Sequence, residues 1–502
     1  MTLELSGSRL TLEEISQVAY ALQNAVLAAG AREKMERSRA TVEQVLSEDR
    51  AVYGINTGFG KLADVRIAPS QIEALQLNLV RSHACGVGRP LSDSETRAMM
   101  LLRANVLALG FSGCRVEIVT ALLAMLERGV LPRIPEKGSV GASGDLAPLA
   151  HLALAMIGEG VAWFQGAWMD SAKALAAAGL KPVRLHAKEG LALLNGTQAM
   201  AAVGGLALLR AERVTALADL AGAMTLEALR GTPVPFDERI QAARPHPGQQ
   251  ASAAHLRRLV EGSEIRESHL QNDPRVQDAY SLRCIPQVHG AVRTALRHAR
   301  EALEIESGSA TDNPLVFPES GEILSGGNFH GAPLAIAFDS AAIALTTLMS
   351  IAERRIDRLV NPDLNEGLPP FLSPQAGISS GFMIAQVSAA SLLNEARVLA
   401  HPASVDNVPT SGGKEDHVSM GMTAALKLRQ IVENSENILA IELLTAAEGL
   451  DFRAPLRSSN SIESALGVIR TLAPRVTEDR PLGPDIERIA EAIRAGEFDE
   501  FM

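Results

Sequence analysis

Apolar residues recur at helical spacing over long stretches of the second half of the chain. Four such stretches, with few glycines or prolines, run through residues 288–305, 333–360, 380–399 and 417–450. They exceed the usual length of globular helices and carry apolar residues on most faces, as helices buried on several sides do. The pattern predicts a bundle of long helices whose apolar faces also become buried between subunits.

The first part of the chain has a different pattern, with shorter helical periods between glycine-rich loops. A hydroxyl residue precedes a glutamate by three positions at Thr11, Ser70 and Ser92, the spacing of a capping box. Gly110 and Gly129 stand where C-terminal caps would end two helices. We therefore predict a domain of short helices and loops over residues 1–200, followed by a long-helix domain over residues 201–502.

Composition supports a helical core and argues against two classes of partner. Of the 502 residues 47% are apolar but only 3% are aromatic, which favours close-packed alanine- and leucine-rich helices over a ring-rich β-sandwich. The expected fold class is therefore mainly α. A formal net charge of −11 argues against nucleic acids and anionic membranes as partners.

The cysteines and the apolar segments bear on cofactors and location. The 3 cysteines lack the spacing of metal ligands or of a disulfide framework, and no nucleotide-binding loop is present, so no metal or nucleotide is expected. The amino-terminal residues lack the pattern of a signal peptide. The most apolar stretch, residues 334–351, contains Asp339 and ends in charged residues, so no membrane span is expected and a cytoplasmic location is predicted.

Residues 138–145, Gly-Ser-Val-Gly-Ala-Ser-Gly-Asp, admit three interpretations. One is a flexible glycine-rich loop. A phosphate-binding loop is disfavoured because no Lys-Ser or Lys-Thr pair follows. The third is chemical: since glycine permits unusual backbone approaches, the Gly144 nitrogen can attack the Ala142 carbonyl. Loss of water and of the Ser143 hydroxyl would then leave a methylidene carbon, which is a strong electrophile.

Extended to His151, this segment resembles the signature of the aromatic amino acid lyases and aminomutases that carry 4-methylidene-imidazol-5-one (MIO). The resemblance covers residues from about 11 to about 485, and five further segments match the family in order. They are Tyr-Gly-Ile-Asn-Thr-Gly-Phe-Gly at 53–60, Leu-Asn-Gly-Thr-Gln at 194–198, Val-Gln-Asp-Ala-Tyr-Ser-Leu-Arg-Cys at 276–284, Gly-Gly-Asn-Phe-His at 326–330 and Glu-Asp-His-Val-Ser-Met at 415–420.

The resemblance implies an autocatalytic cofactor and the residues that act beside it. MIO would form from Ala142, Ser143 and Gly144 and capture the nitrogen of an amino acid substrate. Tyr53 would remove the β-proton of the substrate. It lies on a glycine-bearing loop that would close over the substrate as a lid. Tyr280 would stand beside the MIO ring. Without the family motifs, Tyr53 would be an ordinary amphipathic surface tyrosine.

The resemblance also implies a set of substrate-binding residues and a shared site. Gln277, Tyr280 and Arg283 recur at spacing that one helical face or turn can present, although an exposed polar stripe is the plainer interpretation. In the family this segment comes from a neighbouring subunit of a homotetramer, and Arg283 would bind the substrate carboxylate. Asn195 would orient MIO and the carboxylate, and Phe329 would pack against the substrate ring.

Two positions bear on substrate choice and favour the family's histidine-specific members. His83 matches the position that recognises imidazole, and Glu415 stands where relatives specific for phenylalanine or tyrosine usually have glutamine. A carboxylate can pair with an imidazole N–H but would be a costly buried charge beside a phenyl ring. The expected reaction is elimination of ammonia from L-histidine to give trans-urocanate.

Several alternatives stay open at this point. The chain reads Ser411-Gly-Gly-Lys-Glu-Asp where histidine-specific members have Ser-Ala-Asn-Gln-Glu-Asp, and Lys414 either faces away or changes the charge of the pocket. An MIO-dependent lyase or 2,3-aminomutase acting on tyrosine or phenylalanine is the nearest alternative. The fumarase/aspartase superfamily is disfavoured because its Gly-Ser-Ser loop is missing. A non-enzymatic helical scaffold would have lost the catalytic residues, which are present here.

Overall fold

The computed structural model describes residues 2–48, 52–58, 65–271 and 273–502. About 59% of the chain is helical, which confirms the mainly α fold. The helices are α1 Leu12–Ala19, α2 Ala29–Ser47, α3 Ile72–His83, α4 Asp93–Ala108, α5 Val116–Arg128, α6 Leu146–Met156, α7 Ser171–Ala177, α8 Glu189–Leu194, α9 Gln198–Ala228, α10 Glu238–Ala243, α11 Pro247–Leu259, α12 Glu264–Glu267, α13 Tyr280–Arg283, α14 Ile285–Ser307, α15 Ala332–Val360, α16 Met383–Leu399, α17 Gly421–Asp451, α18 Asn460–Leu472 and α19 Gly483–Ala495.

The strands are short and form small separate sheets. They are β1 Thr2–Leu5, β2 Asn24–Leu27, β3 Val87–Pro90, β4 Leu131–Pro132, β5 Pro135–Lys137, β6 Val161–Phe164, β7 Ala167–Asp170, β8 Leu315–Phe317 and β9 Glu322–Leu324. Strand β1 pairs in parallel with β2, with Leu5 opposite Leu27, whereas β3–β5, β4–β6–β7 and β8–β9 are antiparallel. Sheets of two or three short strands are not stable on their own and depend on packing against the rest of the fold.

The chain divides into two compact units. Unit 1 comprises Met1–Leu206, Ala299–Asp339 and Pro402–Leu426, and unit 2 comprises Ala207–His298, Ser340–His401 and Lys427–Met502. Helices α9, α14, α15 and α17 contribute residues to both units. The division at residue 200 drawn from the sequence stays a prediction.

The packing of unit 1 gathers three chain segments that carry chemistry. Helices α3, α6 and α8 pack against one another. His83 is the last residue of α3, the 138–145 loop leads into α6, and Asn195 follows α8. Because these three helices share a core of buried leucines and alanines, the ends that bear His83, Ser143 and Asn195 are brought to one place.

Helix ends follow the predicted capping chemistry at two of three positions. Thr11 and Ser92 form complete capping boxes with Glu14 and Glu95. The prediction at Ser70 was wrong: Pro69–Gln71 form a short 3₁₀ turn, and α3 begins without a side-chain cap. Pro69 starts the turn one residue earlier, so Ser70 lies inside it and not at the extended N-cap position.

The long helices of the second half agree with their predicted positions within a few residues at each end, as α14, α15, α16 and α17 show. Helix α9 was missed. Its 31 residues include Gly204 and Gly205, which interrupt the apolar pattern. Gly204 is nevertheless suited to its position, because a Cβ there would overlap the ring of Phe338. Small residues thus permit close packing where the periodicity looks broken.

Unit 2 contains a buried charge network centred on Asp219 of α9. Its carboxylate accepts hydrogen bonds from Ser252 (2.6 Å), His289 Nδ1 (2.7 Å) and Arg293 (2.7 Å), and His255 Nδ1 lies 3.2 Å away. Burial alone would raise the pKa of Asp219, but the histidines and Arg293 hold that pKa well below its usual value. The network joins α9, α11 and α14.

Within the described residues, one helix satisfies the length and composition of a bilayer span. Helix α15 reaches a mean hydropathy of 1.8 over an 18-residue window, so the expectation that no segment qualifies was wrong on this criterion. Of that window, 56% is buried inside the structure. Core helices of globular proteins meet the same criterion, so this helix alone does not establish a span.

Candidate active site

A cavity of about 320 Å³ in unit 1 brings together six of the residues singled out from the sequence. These are Tyr53, His83, Ser143, Asn195, Phe329 and Glu415. The rest of the lining is Leu79, Leu146, Leu191, Leu194, Asn313 and Ser411. Four leucines with a few convergent polar groups are typical of a site for a small organic ligand.

The backbone of the 138–145 loop is shaped by its glycines. Gly141 and Gly144 both have φ of +69°, in the left-handed region. Gly144 forms a parallel bridge with Gly196, and a Cβ on Gly144 would overlap the Gly196 carbonyl. The Asp145 N–H donates to that carbonyl at 2.7 Å. Residues 144–145 therefore lie directly against the turn that follows Asn195.

The other side of this loop is held by its own serine and by residues 419–420. The Gly141 N–H donates to Ser139 Oγ (3.2 Å), and Ser419 Oγ donates to the Gly141 carbonyl (3.1 Å). The Met420 N–H donates to the Val140 carbonyl (2.9 Å). These contacts fix the loop backbone on both sides, whereas the Ser143 side chain faces the cavity.

Asp145 is the buried acid directly after the Ala-Ser-Gly segment. Its Oδ1 accepts from Ser139 Oγ (2.8 Å) and its Oδ2 from the Met200 N–H (2.8 Å) at the start of α9. Full burial nevertheless dominates and raises the pKa of Asp145 to about 6. Asp145 thus links the loop to α9, although its carboxyl group loses hydration on burial.

Glu415 connects the loop to the far wall of the cavity. Ser143 Oγ donates to Glu415 Oε1 (2.6 Å), and Thr410 Oγ1 donates to Oε2 (2.7 Å). Lys414 is exposed, and no ion pair between it and Glu415 occurs in the described part of the chain. Each Glu415 oxygen is therefore bound by a hydroxyl, and the cation next to it in sequence faces solvent.

Asn195 lines the cavity and has a buried acceptor without a partner. Its Nδ2 donates to the Asn313 carbonyl (3.2 Å), while its buried Oδ1 has no hydrogen-bond partner. Arg103 Nη1 donates to the Asn195 carbonyl (2.8 Å) and to Gln198 Oε1 (2.6 Å). Burial lowers the pKa of Arg103 to about 10. A buried unpaired acceptor is costly, which suits an atom reserved for a ligand N–H.

His83 and Tyr53 complete the polar lining. His83 Nδ1 lies 2.9 Å from the Leu79 carbonyl, and because a carbonyl only accepts, Nδ1 is the donor in this hydrogen bond. Tyr53 is half-buried at the cavity wall. Gly54, with φ of +76°, packs closely on Pro314 and Leu191. Of the predicted lid motif, residues 59 and 60 lie outside the described residues.

Gln277, Tyr280 and Arg283 belong to unit 2. The guanidinium of Arg283 lies 4.5 Å from the centre of the Tyr280 ring, and its Nη1 donates to Gln277 Oε1 at 2.6 Å. Only Tyr280–Arg283 is helical, so a single turn and the preceding loop present the three side chains. Tyr280 is 71% exposed, an unusual state for a large aromatic side chain.

Comparison with known proteins identifies the family. Residues 10–471 match the aromatic amino acid lyase family. The chain belongs to this family. It is 59% identical to the histidine ammonia-lyase of Anaeromyxobacter sp. (strain K) over 99% of both chains. The chain is also similar to the solved structure of a histidine ammonia-lyase from Trypanosoma cruzi, with 42% identity and a TM-score of 0.93 over 100% of this chain and 95% of that one. It is similar as well to the solved structure of a tyrosine aminomutase from Streptomyces globisporus, with 39% identity and a TM-score of 0.95 over 100% of this chain and 98% of that one.

The family resemblance found in the sequence is thus confirmed, but several residues of this aromatic amino acid lyase's cavity were missed. The lining residues Asn313 and Ser411 were not singled out, nor was Thr410, whose hydroxyl binds the lining residue Glu415. The sequence signal for Asn313 was the polar run Thr-Asp-Asn-Pro at 311–314. In the structure, Asp312 of this run forms a fully buried ion pair with Lys188 (2.7 Å). Such a pair inside an apolar chain indicates a position under strong constraint.

Two histidines from separate family segments, 326–330 and 415–420, lie together. The rings of His330 and His417 stack with their centres 5.6 Å apart and their planes 6° apart. His330 directly follows Phe329 and His417 lies two residues after Glu415, so the stack joins two segments of the cavity wall. Among the described residues, no group of three or more histidine, cysteine, aspartate or glutamate side chains is placed to hold a metal ion.

Proposed function

We propose that this aromatic amino acid lyase eliminates ammonia from L-histidine to form trans-urocanate. The observation that carries the proposal is the placement of the Glu415 carboxylate and the His83 imidazole in one cavity with Ser143. An imidazole N–H can donate to Glu415, whereas a phenyl ring would leave the carboxylate desolvated and unpaired. The high identity to histidine ammonia-lyases supports the same substrate.

The proposed electrophile is MIO formed from Ala142, Ser143 and Gly144. In its formation the Gly144 nitrogen attacks the Ala142 carbonyl carbon, whose oxygen leaves as water, and the Ser143 hydroxyl leaves with the Cα hydrogen as a second water. The residues present fit this group: a Cβ at position 144 would overlap the Gly196 carbonyl, and Asn195, whose buried Oδ1 has no hydrogen-bond partner, lines the same cavity as Ser143. When formed, MIO supplies an electrophile for the substrate amine. No metal or nucleotide enters the proposal.

The remaining steps are assigned to side chains of the cavity wall. Tyr53 takes the β-proton, and its segment excludes water from the reacting atoms. Asn195 orients MIO and the substrate carboxylate. Phe329 packs on the substrate ring, and the leucine wall shields it from solvent.

A homotetramer with shared sites is part of the proposal. Arg283 and Gln277 of a neighbouring copy would bind the substrate carboxylate, with Tyr280 beside them. Unit 2 exposes a set of large apolar side chains that assembly would bury. They are Val276 (100% exposed), Ile378 (89%), Ile384 (64%), Val387 (51%) and Val398 (71%). The chain is proposed to act in the cytoplasm, without nucleic-acid or membrane partners.

A second candidate is an MIO-dependent lyase or 2,3-aminomutase acting on tyrosine or phenylalanine. The TM-score of 0.95 to a tyrosine aminomutase favours keeping it, because the fold accommodates both outcomes. The two reactions share electrophile and base and differ in whether ammonia leaves before it adds again.

The test is a substrate panel on the purified wild-type protein. Histidine, tyrosine and phenylalanine are supplied singly, and ultraviolet absorbance of the unsaturated acid is followed together with ammonia. Urocanate and ammonia from histidine alone support the proposal. Turnover of tyrosine or phenylalanine without turnover of histidine would establish the second candidate instead.

A further inference from the structure

Thr410 and Glu415 close a tight turn at the cavity wall. The Thr410 N–H donates to the Glu415 carbonyl (2.7 Å), and the Glu415 N–H donates back to the Thr410 carbonyl (3.4 Å). Between them Ser411, Gly412 and Gly413 have φ of +51°, +64° and +80°. Two glycines make this run of left-handed residues inexpensive, and they stand where the chain departs from the family pattern. The turn places the Thr410 hydroxyl against the Glu415 carboxylate.

We infer that Thr410 is a positioning residue that sets the specificity of the cavity by holding one oxygen of Glu415 and leaving the other for the substrate ring. The inference rests on the proposed function and deepens it. Thr410 binds Oε2, whereas Oε1 is bound by Ser143 Oγ. Formation of MIO removes the Ser143 hydroxyl as water. Oε1 then loses its donor, while Oε2 keeps Thr410.

After MIO has formed, Glu415 Oε1 needs a new hydrogen-bond donor, which the substrate has to supply. A half-buried carboxylate oxygen that has lost a charge-assisted hydrogen bond is stabilised by any N–H or O–H that enters the cavity. Histidine offers a ring N–H, and phenylalanine offers none. Because Thr410 holds Oε2 throughout, the carboxylate cannot turn both oxygens away from the ring position. Threonine suits this task since its β-branch restricts χ1.

The backbone around Glu415 is fixed separately, which isolates the effect of the hydroxyl. Asn407 Nδ2 donates to the Asp416 carbonyl (3.0 Å), and its Oδ1 accepts from the Val418 N–H (2.8 Å). Loss of the Thr410 hydroxyl therefore releases the Glu415 side chain and leaves the segment in place. Lys414, exposed to solvent, does not replace it.

The experiment compares Thr410→Val, which keeps the shape, with Thr410→Ser, which keeps the hydroxyl. Thr120→Val is the matched control, since Thr120 is also half-buried in unit 1 but donates only to carbonyls of its own helix. Thr410→Val is expected to raise KM for histidine roughly 10- to 100-fold with a smaller change in kcat, because a hydrogen bond to a charged group is lost. Thr410→Ser and Thr120→Val should stay within about threefold of wild type.

A second measurement separates ring recognition from general damage. The inhibition constant of trans-urocanate should rise in Thr410→Val, whereas that of trans-cinnamate, the same acid with a phenyl ring, should not. Intact mass shows whether MIO has formed in each variant. If Thr410→Val does not yield folded protein, Thr410→Ala, which also lacks the hydroxyl, is compared with Thr410→Ser in its place.

The outcomes are separable. Thr410→Val with MIO formed and with wild-type KM for histidine would overturn the inference and leave the proposed function standing. Equal weakening of urocanate and cinnamate would also overturn it, because the effect would then not concern the ring N–H. A wild-type protein that does not convert histidine would overturn the proposed function and this inference with it.

Discussion

Ser143 Oγ donates a hydrogen bond to Glu415 Oε1 over 2.6 Å, across 272 positions of sequence. The residue proposed to become part of the electrophile therefore touches the residue proposed to recognise the substrate ring. Since the reacting Cα–Cβ bond of histidine lies between its amine and its imidazole, a cavity that binds both ends holds that bond between them.

Ser143→Ala is expected to abolish both maturation and turnover. Without the hydroxyl, the second water cannot leave, so the intact mass of the variant should lack the loss of two waters seen in wild type. Activity on histidine should fall on the order of a thousandfold or more, as when a covalent catalytic group is removed. Ser47→Ala, on the exposed face of α2, should keep the mass loss and the activity. Full turnover by Ser143→Ala would exclude the MIO mechanism.

Gly144→Ala should destabilise the protein far more than Gly129→Ala. Both glycines have positive φ, but Gly129 faces open space, whereas a Cβ at position 144 overlaps the Gly196 carbonyl. Gly129→Ala isolates the backbone cost of about 1 kcal/mol. Gly144→Ala adds steric overlap and should cost more than about 3 kcal/mol. Urea unfolding measures the difference, and equal costs would contradict the close approach of the two segments.

Asp145 should make stability fall as pH rises through a defined window. Burial raises its folded pKa from 3.8 to about 6, so between these values the unfolded chain has released a proton that the folded chain retains. Raising the pH through this window therefore favours unfolding, by about 3 kcal/mol in total, and has little further effect above it. Urea unfolding at several pH values should show this dependence in wild type and not in Asp145→Asn.

The control for this dependence is Asp363→Asn, which removes an exposed carboxylate and should keep the wild-type pH profile. Parallel profiles for wild type and Asp145→Asn would show that the buried acid at the start of α6 does not carry the effect.

Substitutions of Lys414 and of Glu415 should have very different effects on the kinetics with histidine, although the two residues are neighbours. Lys414→Ala removes an exposed charge and should leave KM for histidine within about twofold of wild type. Glu415→Gln removes a carboxylate that binds inside the cavity and should lower kcat/KM for histidine roughly 100-fold. Steady-state kinetics on the two variants decides the matter. A large effect of Lys414→Ala would mean that the cation acts on the pocket.

Much of the helical framework was predictable because local signals agree with packing. The capping boxes at Thr11 and Ser92 and the four long apolar stretches all form where expected. Ser70 failed because Pro69 imposes its own turn. Helix α9 was missed because the fit of Gly204 against Phe338 depends on residues 134 positions apart, and such a tertiary contact has no local signature.

The residues of the candidate site were likewise predicted only in part from the sequence. The family motifs led to Tyr53, His83, Ser143, Asn195, Phe329 and Glu415, and the structure places these six around one cavity. Their assigned roles stay predictions. Thr410, Asn313 and Arg103 were not found, because each acts through a hydrogen bond to another residue's backbone or side chain. Residue type and spacing reveal groups that meet a ligand more readily than groups that hold those residues in place.

The most direct test is to incubate the wild-type protein with isotope-labelled L-histidine and follow the products by nuclear magnetic resonance. The proposed chemistry predicts trans-urocanate and ammonium in equal amounts, with no labelled β-amino acid. Accumulation of β-histidine would show an aminomutase, and unchanged histidine alongside conversion of labelled tyrosine would contradict the role given to Glu415 and His83.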